Sequence, residues 1–483
     1  MIRKLFLISI VAAVFFIPCF ISGLETPVEP GIMSIGCEED RFVDGAGRHV
    51  IMRGANAGSR GKLPPFYPFE PEPDFETALE KFTGGFESLG FNVVRLLVIY
   101  EAAEPVRGQY DEEYLKIYDK LVNSFGRRGV HVIVDSHQDI FSRRFCGDGF
   151  PDWALAQRYR DNRQRADCGL WELKNLTLGV AGSWNRFWNN KDGIQDSYVE
   201  FFRMLAERYK NNPAVIGFEP INEPMPGTKG LIGYSKWNEE KLYVLYEKVG
   251  KAVNSVAPRF IIFSDVCALE NLGSWNESRR RPEIPNLAFA PHYYDVGYFK
   301  FNLTTGRDEE IMRNGLKKHI RLGRHWRVPV LIGEYGIEMQ REDAPAYIDK
   351  LYSVFDELLL SGTIWEASMS PKLWNGRDKC IFDPDGAPRR GTLALDRPYP
   401  RAVAGIIESF TFERDTNTFT MKYAEHSRIN MPTEIYIPAR IYGDNPVINI
   451  QPDGPYEFEP ARRLLKITNL GKDCERKITV SAR

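Results

Sequence analysis

The stretch that decides the fold is AVIGFEPINEP, residues 214–224, an apolar run that ends in an amide and a carboxylate. Proline cannot donate to a sheet ladder, so a strand is expected to end at Pro224. Asn222 and Glu223 then lie at the carboxyl end of that strand. Because strict alternation would send them to opposite faces, the strand end must bulge or curl for both side chains to reach one site.

Seven further β-rich runs alternate with helical patterns along the chain. In residues 111–129, for example, apolar residues recur every three or four positions, which indicates an amphipathic helix. Eight strand–helix units predict an α/β fold, a (β/α)₈ TIM barrel. The alternative, an open doubly wound sheet, is disfavoured because neither GxGxxG nor GxxxxGK[ST] follows the first run. The eight runs begin at residues 49, 91, 131, 214, 260, 287, 328 and 362.

After about residue 400 the pattern changes to short segments in which apolar and polar residues alternate, separated by Gly, Pro, Asn and Asp. This alternation predicts antiparallel sheets, arranged as a small C-terminal β-sandwich. We therefore expect the barrel over residues 30–398 and the β-sandwich domain over residues 400–483.

The composition excludes several classes of protein. Among 483 residues, 63 Lys and Arg face 65 Asp and Glu, and the net charge of −2 gives no electrostatic reason to expect nucleic acid. Seven histidines are scattered without an HExxH motif or a Cys/His cluster, so neither a metal ion nor another cofactor is expected. Aromatic residues reach 13% of the chain, and their flat, rigid rings suit carbohydrate or lipid sites.

Residues 1–23 have the layout of a secretory signal peptide: two basic residues, an apolar run and small residues at the end. Secretion is expected, with an uncleaved membrane anchor as the alternative. Six cysteines remain after the leader, an even number without CxxC or CxxH spacing, which favours disulfides over zinc. Cys146 and Cys168 flank one loop-like segment and are the best candidates for a pair. The N-glycosylation pattern occurs at Asn175, Asn276 and Asn302.

A second carboxylate is expected at another strand end, across the mouth of the barrel. Glu334, in VLIGEYG (residues 330–336), follows the seventh run and meets this requirement. A carboxyl group between low-dielectric walls and near other acids tends to keep its proton, which makes Glu223 a candidate general acid. Two such glutamates form the pair that glycoside hydrolysis uses, and a carboxyl separation of about 5 Å would make the reaction retaining.

The motifs NEP on the fourth run and GEYG on the seventh resemble glycoside hydrolase clan A, and family 5 in particular. The resemblance implies a retaining O-glycosidase with Glu223 as acid/base and Glu334 as nucleophile. It also implies a shell of polar residues and an aromatic ring, at the end of the eighth run, that stacks on the sugar. The residues at the matching positions are Arg95, His137, His292, Tyr294 and Trp365.

Within family 5 the chain resembles the endoglycoceramidases, most clearly in VDSHQDIFSRRFCGDGFPDWA (residues 134–154) and GFEPINEP (residues 217–224). This implies hydrolysis of the β-glycosidic bond between the sugar chain and the ceramide of glycosphingolipids. One alternative keeps the chemistry but changes the substrate to simple glucosylceramide, steryl glucoside or β-glucan, as in a β-glucosidase or endoglucanase. The other is a catalytically dead carbohydrate- or lipid-binding barrel.

Each shell residue has a chemical role that suits its type. Asn222 would bind the sugar 2-hydroxyl in the transition state, and Arg95 and Tyr294 would keep the nucleophile ionised. Each also has a structural explanation, as a turn cap, half of a buried ion pair or a buried tyrosine with an ordinary partner. The resemblance places on the sugar side His137, Asp139, Lys62 and Gln138. Three further acids are not assigned to catalysis: Glu219, Glu338 and Glu366.

The expected partners follow from an amphiphilic substrate. They are a glycosphingolipid, a transient contact with a membrane surface and a lipid-solubilising activator, while the oligomeric state is left open. WNRFWNNKDG, residues 184–193, places two tryptophans beside charges. It is interpreted either as a loop that touches glycolipid or as an aromatic-rich surface helix.

Overall fold

The computed structural model describes residues 32–160, 171–228, 234–273, 279–295, 297 and 309–483. The predicted signal peptide, Cys168 and the glycosylation patterns at Asn276 and Asn302 lie outside the described residues. Across the described ranges, no helix combines the length and the apolar character that crossing a membrane would need.

The strands of the described residues form three sheets: one parallel sheet of eight strands and two antiparallel sheets of seven and four strands. In chain order they are β1 Ile35–Glu38, β2 Arg41–Asp44, β3 His49–Val50, β4 Arg53–Ala57, β5 Val93–Ile99, β6 His131–His137, β7 Val215–Glu219, β8 Ile261–Ser264, β9 Leu287–Phe289, β10 Leu331–Ile332, β11 Ser361–Ala367, β12 Tyr399–Val403, β13 Gly405–Glu413, β14 Thr418–Glu425, β15 Thr433–Tyr436, β16 Val447–Gln451, β17 Tyr456–Glu459, β18 Leu464–Ile467 and β19 Cys474–Ser481.

The eight-stranded sheet is the predicted barrel. Its order is β10–β11–β4–β5–β6–β7–β8–β9, with parallel pairing throughout. Parallel bridges between Phe289 and Val330 and between His292 and Glu334 join the two ends of that order and close the sheet. Each of the eight predicted runs supplies one strand of this sheet, so the (β/α)₈ fold is confirmed; the first run also contains β3, which belongs to another sheet. The carboxyl ends of the strands share one rim.

Helices lie between the barrel strands, and their apolar faces pack on the sheet. In the helix Glu112–Arg127, the Asp111 side chain caps the amino end by accepting from the backbone amides of Glu113 and Tyr114, both at 3.0 Å. The helices are α1 Phe75–Ser88, α2 Tyr100–Ala103, α3 Glu112–Arg127, α4 Gln157–Arg160, α5 Leu178–Trp188, α6 Ile194–Tyr209, α7 Tyr234–Trp237, α8 Tyr243–Asn254, α9 Ala268–Gly273, α10 Glu309–Trp326, α11 Ala344–Glu357 and α12 Ala439–Tyr442.

The tryptophans of residues 184–193 belong to the core. Trp184 and Trp188 lie on α5, are buried, and stack on each other with ring centroids 5.6 Å apart. Both interpretations of this stretch are therefore wrong in placing the rings at the surface. The polar residues between them occupy the outer face of the same helix, which is why the local composition misleads.

An apolar cluster closes the barrel end at which the strands begin. Ile35, Phe42 and Val50 of the amino-terminal hairpin pack against residues inside the barrel, among them Phe263. The rings of Phe42 and Phe263 stack at 6.2 Å between centroids. This end is therefore a sealed hydrophobic core, and the opposite rim is the open one.

The two antiparallel sheets pack around a separate apolar core, which contains Phe410 and Phe419 from one sheet and Ile435 from the other. This confirms the predicted β-sandwich. However, β3 pairs with β12, so that Val50 lies opposite Ala402, and the hairpin of β1–β3 extends the larger sheet of the sandwich. The sequence assigned residues 35–50 to the barrel because a short hairpin carries no local sign of the sheet it will join.

The cysteines differ from the predicted pattern. Cys146 is disulfide-bonded, and because Cys168 lies outside the described residues the pairing of these two stays a prediction. The other four described cysteines are free thiols, so disulfide bonding is wrong for them; they lie on separate elements and do not meet as pairs. They are Cys37, Cys267, Cys380 and Cys474.

Candidate active site

Arg95, on β5, is fully buried and links the strand ends of the open rim. Its Nε and Nη2 atoms donate to the two carboxylate oxygens of Glu219, at 2.7 and 2.6 Å. Nη1 donates to Asn56 at 2.8 Å and to Glu334 at 3.0 Å, and Nη2 donates to Asn222 at 2.9 Å. Burial alone would lower the pKa of Arg95, but the surrounding carboxylates raise it well above its usual value. Arg95 is therefore a permanent cation.

Glu334 follows β10 and is buried, with a donor on each carboxylate oxygen. Oε1 accepts from Arg95, and Oε2 accepts from the Tyr294 hydroxyl at 2.9 Å. Burial would raise the pKa of Glu334, but the charges of His292 and Arg95 outweigh it and lower the pKa. The carboxyl group is therefore held ionised and in a fixed orientation, as a nucleophile requires.

Glu223 reaches the site through a sharp turn. Strand β7 ends at Glu219, earlier than the predicted end at Pro224, and the backbone of Glu223 has a φ of +38°, which is uncommon for a residue other than glycine. The Gln138 side-chain amide donates to the carbonyl oxygens of Asn222 at 2.7 Å and Glu223 at 3.2 Å. This is the curl that lets both side chains face one site.

The two glutamates face each other. One oxygen of Glu223, one of Glu334 and one ring nitrogen of His292 all lie within 4.8 Å of one another. Carboxyl groups about 5–5.5 Å apart are the arrangement in which one of them acts as a nucleophile. The Glu223 side chain is 28% exposed and that of Glu334 is 7% exposed, so a leaving group can approach Glu223. In the described part of the chain, the spacing of these three residues would also suit a metal ion, although both Glu334 oxygens already accept hydrogen bonds.

His292 lies between the two carboxylates. Its Nδ1 is 2.9 Å from Glu223 and 3.6 Å from Glu334, and its Nε2 is 4.0 Å from Asp265. Burial would lower the pKa of His292, but the carboxylates of Glu334, Asp265 and Glu223 raise it to about 10. The imidazole is therefore protonated at neutral pH and shares its Nδ1 proton with Glu223.

A further polar group adjoins this pair through Asn222. The Nδ2 atom of Asn222 donates to the carbonyl oxygen of Gln138 at 3.1 Å and lies 3.4 Å from Nε2 of His137. The Nδ1 atom of His137 is 2.7 Å from Asp135. Burial and the charge of Lys62 would lower the pKa of His137, but Asp135 raises it to about 9. Charges of both signs therefore line this side.

Lys62 and two tryptophans complete that side of the rim. Lys62 forms an ion pair with Asp139, and its ammonium lies 4.4 Å from the ring centroid of Trp365 and 4.6 Å from that of Trp374. Trp365 also stacks on the imidazole of His137, at 5.4 Å and 16°. The cluster offers donors, acceptors and an aromatic face within one small region.

The structure brings the predicted residues together, with one difference. Gln138 was predicted on the sugar side, yet both ends of its amide are used by backbone groups. Its Nε2 donates to two carbonyl oxygens, and its Oε1 accepts from the amide of Phe141 at 2.9 Å. Gln138 supports the turn that carries Glu223.

The unassigned acids lie outside the pair. Glu219 is bound to Arg95, and Glu338 is exposed. Glu366 is buried and accepts from the backbone amide of Ser59 and the hydroxyl of Ser368, both at 2.7 Å.

Sequence reasoning did not single out five residues of the site. Asn56 lies on β4 and Asp135 on β6, and Asp265 directly follows β8, so polarity near a strand end was an available signal. Trp374 begins a short 3₁₀ helix after β11, and Lys379, whose ammonium lies 4.4 Å from the ring centroid of Tyr294, lies in the irregular segment that follows; no periodic pattern marks either residue.

The comparisons with known proteins agree with this geometry. The family description "Cellulase (glycosyl hydrolase family 5)" matches residues 71–370, and "Glycoside hydrolase family 5 C-terminal domain" matches residues 397–481. The chain belongs to glycoside hydrolase family 5.

Similar proteins narrow the resemblance. An endoglycoceramidase of Cyanea nozakii is 26% identical over 429 residues, which cover 81% of this chain and 81% of that protein. Endoglycoceramidase I of Rhodococcus hoagii is 26% identical over 466 residues, covering 91% of this chain and 87% of that protein. The structure of endo-glycoceramidase II from Rhodococcus sp. in its ganglioside GM3 complex has a TM-score of 0.79 at 23% identity, covering 92% of this chain and all of that one. The resemblance to endoglycoceramidases stated above is confirmed.

Proposed function

We propose that this protein acts as an endoglycoceramidase, a retaining glycosidase that hydrolyses the β-glycosidic bond between the sugar chain and the ceramide of glycosphingolipids. The observation that carries the proposal is the pair of Glu223 and Glu334, with carboxylate oxygens within 4.8 Å of each other at the open rim of a family 5 barrel. The similarity to endoglycoceramidases along most of the chain supports the choice of substrate.

The first step forms a glycosyl ester. A carboxylate oxygen of Glu334 attacks the anomeric carbon, the bond from that carbon to the ceramide oxygen breaks, and Glu223 gives its proton to the departing oxygen. Arg95 and Tyr294 hold Glu334 ionised and aimed before the attack. In the second step Glu223 takes a proton from water, the water oxygen bonds to the anomeric carbon, and Glu334 leaves as a carboxylate.

His292 balances the negative charge of the catalytic pair. The His292 imidazolium lies between Glu223 and Glu334, with its Nδ1 atom 2.9 Å from the first and 3.6 Å from the second, and its charge is opposite to that of a carboxylate. The hydrogen bond of 2.9 Å from Nδ1 to Glu223 fixes the orientation of that carboxyl group within the site.

The sugar binds on the side of Lys62, Asp139 and His137. Lys62 and the imidazolium of His137 donate to hydroxyl oxygens, Asp139 accepts from hydroxyls, and the half-buried face of Trp365 carries the apolar face of the ring. Asn222, oriented by Arg95, donates to the sugar 2-hydroxyl.

The lipid half of the substrate brings the protein to a membrane surface outside the cell. Residues 1–23 have the layout of a secretory leader. Leu173, Leu176 and Leu178 are 59%, 60% and 81% exposed, and three exposed leucines within six residues are suited to transient contact with lipid. Activity on vesicles that contain glycolipid should fall when all three are changed to Ser, while activity on detergent-dispersed glycolipid should not.

The test of the function is a substrate panel with mass spectrometry of the products. The protein is incubated with detergent-dispersed ganglioside GM3, glucosylceramide, a steryl glucoside and a soluble cellulose derivative, with Glu334→Gln as the control. We expect intact ceramide and intact oligosaccharide from GM3 and no cleavage of cellulose. Cleavage of glucosylceramide or steryl glucoside with GM3 untouched would contradict the proposal and support a simpler glucosidase. No turnover of any substrate, with unchanged ligand binding by the Gln variant, would support a dead barrel.

A further inference from the structure

We propose that Lys379 is a positioning residue for the nucleophile and acts on Glu334 through the ring of Tyr294. The inference rests on the proposed function only in taking Glu334 as the nucleophile. The ammonium of Lys379 lies 4.4 Å from the centroid of the Tyr294 ring, and the hydroxyl of that ring donates to Glu334 at 2.9 Å. Lys379 is buried. Cation, ring and carboxylate therefore form one continuous chain of contacts.

The physical effect follows from the polarity of that chain. A cation over the face of an aromatic ring is attracted by its π electrons and draws electron density from it. The phenol then becomes a stronger hydrogen-bond donor, and the bond to Glu334 strengthens in a site that excludes water. Lys379 fixes Tyr294 from its face while Glu334 fixes it from its hydroxyl end. The ring is thereby held where it must remain during attack.

The segment that carries Lys379 is clamped to the end of β11. The amide of Glu366 donates to the carbonyl of Lys379 at 3.4 Å, and the amide of Ile381 donates to the carbonyl of Glu366 at 2.9 Å. The thiol of Cys380 donates to the Glu366 carboxylate at 2.7 Å. On the other side, Arg389 donates to the carbonyl of Cys380 at 3.2 Å. Because the backbone of this segment is fixed on both sides, the side chain of Lys379 can keep the Tyr294 ring in place.

The charges around the ammonium decide how its effect varies with pH. They are the carboxylates of Glu338, Glu334 and Glu223 and the guanidinium of Arg377. Burial lowers the pKa of Lys379 to about 8, so the residue is a cation at neutral pH and loses its charge in mildly alkaline solution. A neutral substitute should therefore differ from the wild type most below pH 8 and converge with it above.

The experiment compares Lys379→Met, Lys379→Gln and Lys379→Arg, each with and without Tyr294→Phe. The substrate is a 2,4-dinitrophenyl β-glycoside, whose leaving group departs without protonation, so the rate reports the attack by Glu334 and requires no ceramide. At pH 6 we expect the Met and Gln variants to lose about tenfold in kcat/KM, and Arg to stay within about twofold. In the Tyr294→Phe background the same changes should lower kcat/KM by less than about twofold, because the hydroxyl that donates to Glu334 is already absent. Lys372→Met removes a charge from a side chain that is 74% exposed and should leave the rate unchanged.

Three results would overturn the proposal. They are wild-type rates for both neutral variants, an undiminished tenfold loss in the Tyr294→Phe background, and a loss that does not shrink as the pH rises through 8. Two neutral variants guard against misfolding of one, and thermal melting identifies a variant that fails to fold. Turnover of the aryl glycoside without release of ceramide from GM3 would contradict the proposed function and leave the Lys379 result intact.

Discussion

Strand β6 carries a buried histidine at each end, and the two have opposite properties. Burial, together with the charge of Arg401, lowers the pKa of His131 to about 3 at the sealed end of the barrel. At the open rim Asp135 outweighs burial and the charge of Lys62, and the pKa of His137 rises to about 9. One strand thus passes from a region that tolerates only the neutral imidazole to one that stabilises the imidazolium.

The difference extends to the whole barrel. At the sealed end the interior holds Val93, Ile133 and Ile261, closed by the amino-terminal hairpin. At the rim it holds Arg95 and the acids bound to it. Taking a charge out of water costs several kcal/mol even after relaxation, so the rim cluster is a poor source of stability. The sealed end supplies hydrophobic stability, and the rim supplies chemistry.

The largest effect is expected from removing the charge of the nucleophile. Glu334→Gln keeps the shape of the side chain but cannot form the glycosyl ester, so kcat/KM for an aryl glycoside should fall by about 10⁴-fold or more. Thermal melting should show a folded protein. Glu113→Gln, at a side chain that is 84% exposed, is the matched control and should be inert. A loss under tenfold in Glu334→Gln would show that the rim does not work as described.

Next in size is the loss of the cation that organises the rim. Arg95→Met leaves Glu219 as a buried carboxylate without its partner, which should cost about 3–5 kcal/mol of stability, measured by chemical denaturation. Activity should fall as well, because Glu334 and Asn222 lose their common donor. Arg327→Met, at a side chain that is 72% exposed, should change neither quantity. Wild-type stability of the Arg95 variant would refute the view that its charge compensates the buried acids.

A change at the sealed end should separate stability from activity. Phe42→Ala removes a ring packed on Phe263 and should cost about 3–5 kcal/mol of unfolding free energy. The value of kcat/KM at a temperature where the variant is folded should stay within about twofold, since the cavity lies far from the rim. The exposed aromatic Tyr456→Ala is the control and should have little effect on either. A drop in kcat/KM without a drop in stability would contradict the view that the sealed end contributes to stability and the rim to catalysis.

The smallest effect, taken per pH unit, concerns the pH dependence of stability. Because the folded pKa of His131, about 3, lies below its unfolded value of about 6.5, the unfolded chain binds the extra proton between these pH values. Stability should therefore fall with pH from 6.5 towards 3, by at most about 1.4 kcal/mol per pH unit from this residue. For His137 the sign is opposite: its contribution is complete below pH 6.5 and is lost as the pH rises through about 9.

Substituting each histidine in turn tests the contributions of His131 and His137 to stability separately. His131→Asn should flatten the acid side of the stability profile, and His137→Asn should flatten the alkaline side, as measured by denaturation at a series of pH values. The same profile in both variants as in the wild type would contradict the assignment.

The sequence predicts the features that depend on local signals. Periodic apolar runs mark the strands, and a polar residue at the end of a run marks the rim, which is how Glu223 and Glu334 are found. Arg95 lies inside its run and is indicated by the resemblance to family 5. Features that depend on contacts between distant parts of the chain cannot be predicted from these local signals. Lys379 meets Tyr294 only when the irregular segment after β11 folds back, and the hairpin of β1–β3 meets β12 from the other end of the chain. Trp184 misled because its polar neighbours face outward on the same helix.

The most direct test of the central claim, that Glu334 attacks while Glu223 transfers protons, is the stereochemistry of the first product. Proton NMR follows the anomeric signal when the protein cleaves a β-glycoside, before mutarotation mixes the anomers. The geometry of the two carboxyl groups predicts that the β-anomer of the reducing sugar appears first and the α-anomer only later. First appearance of the α-anomer would mean direct attack by water and would contradict the account.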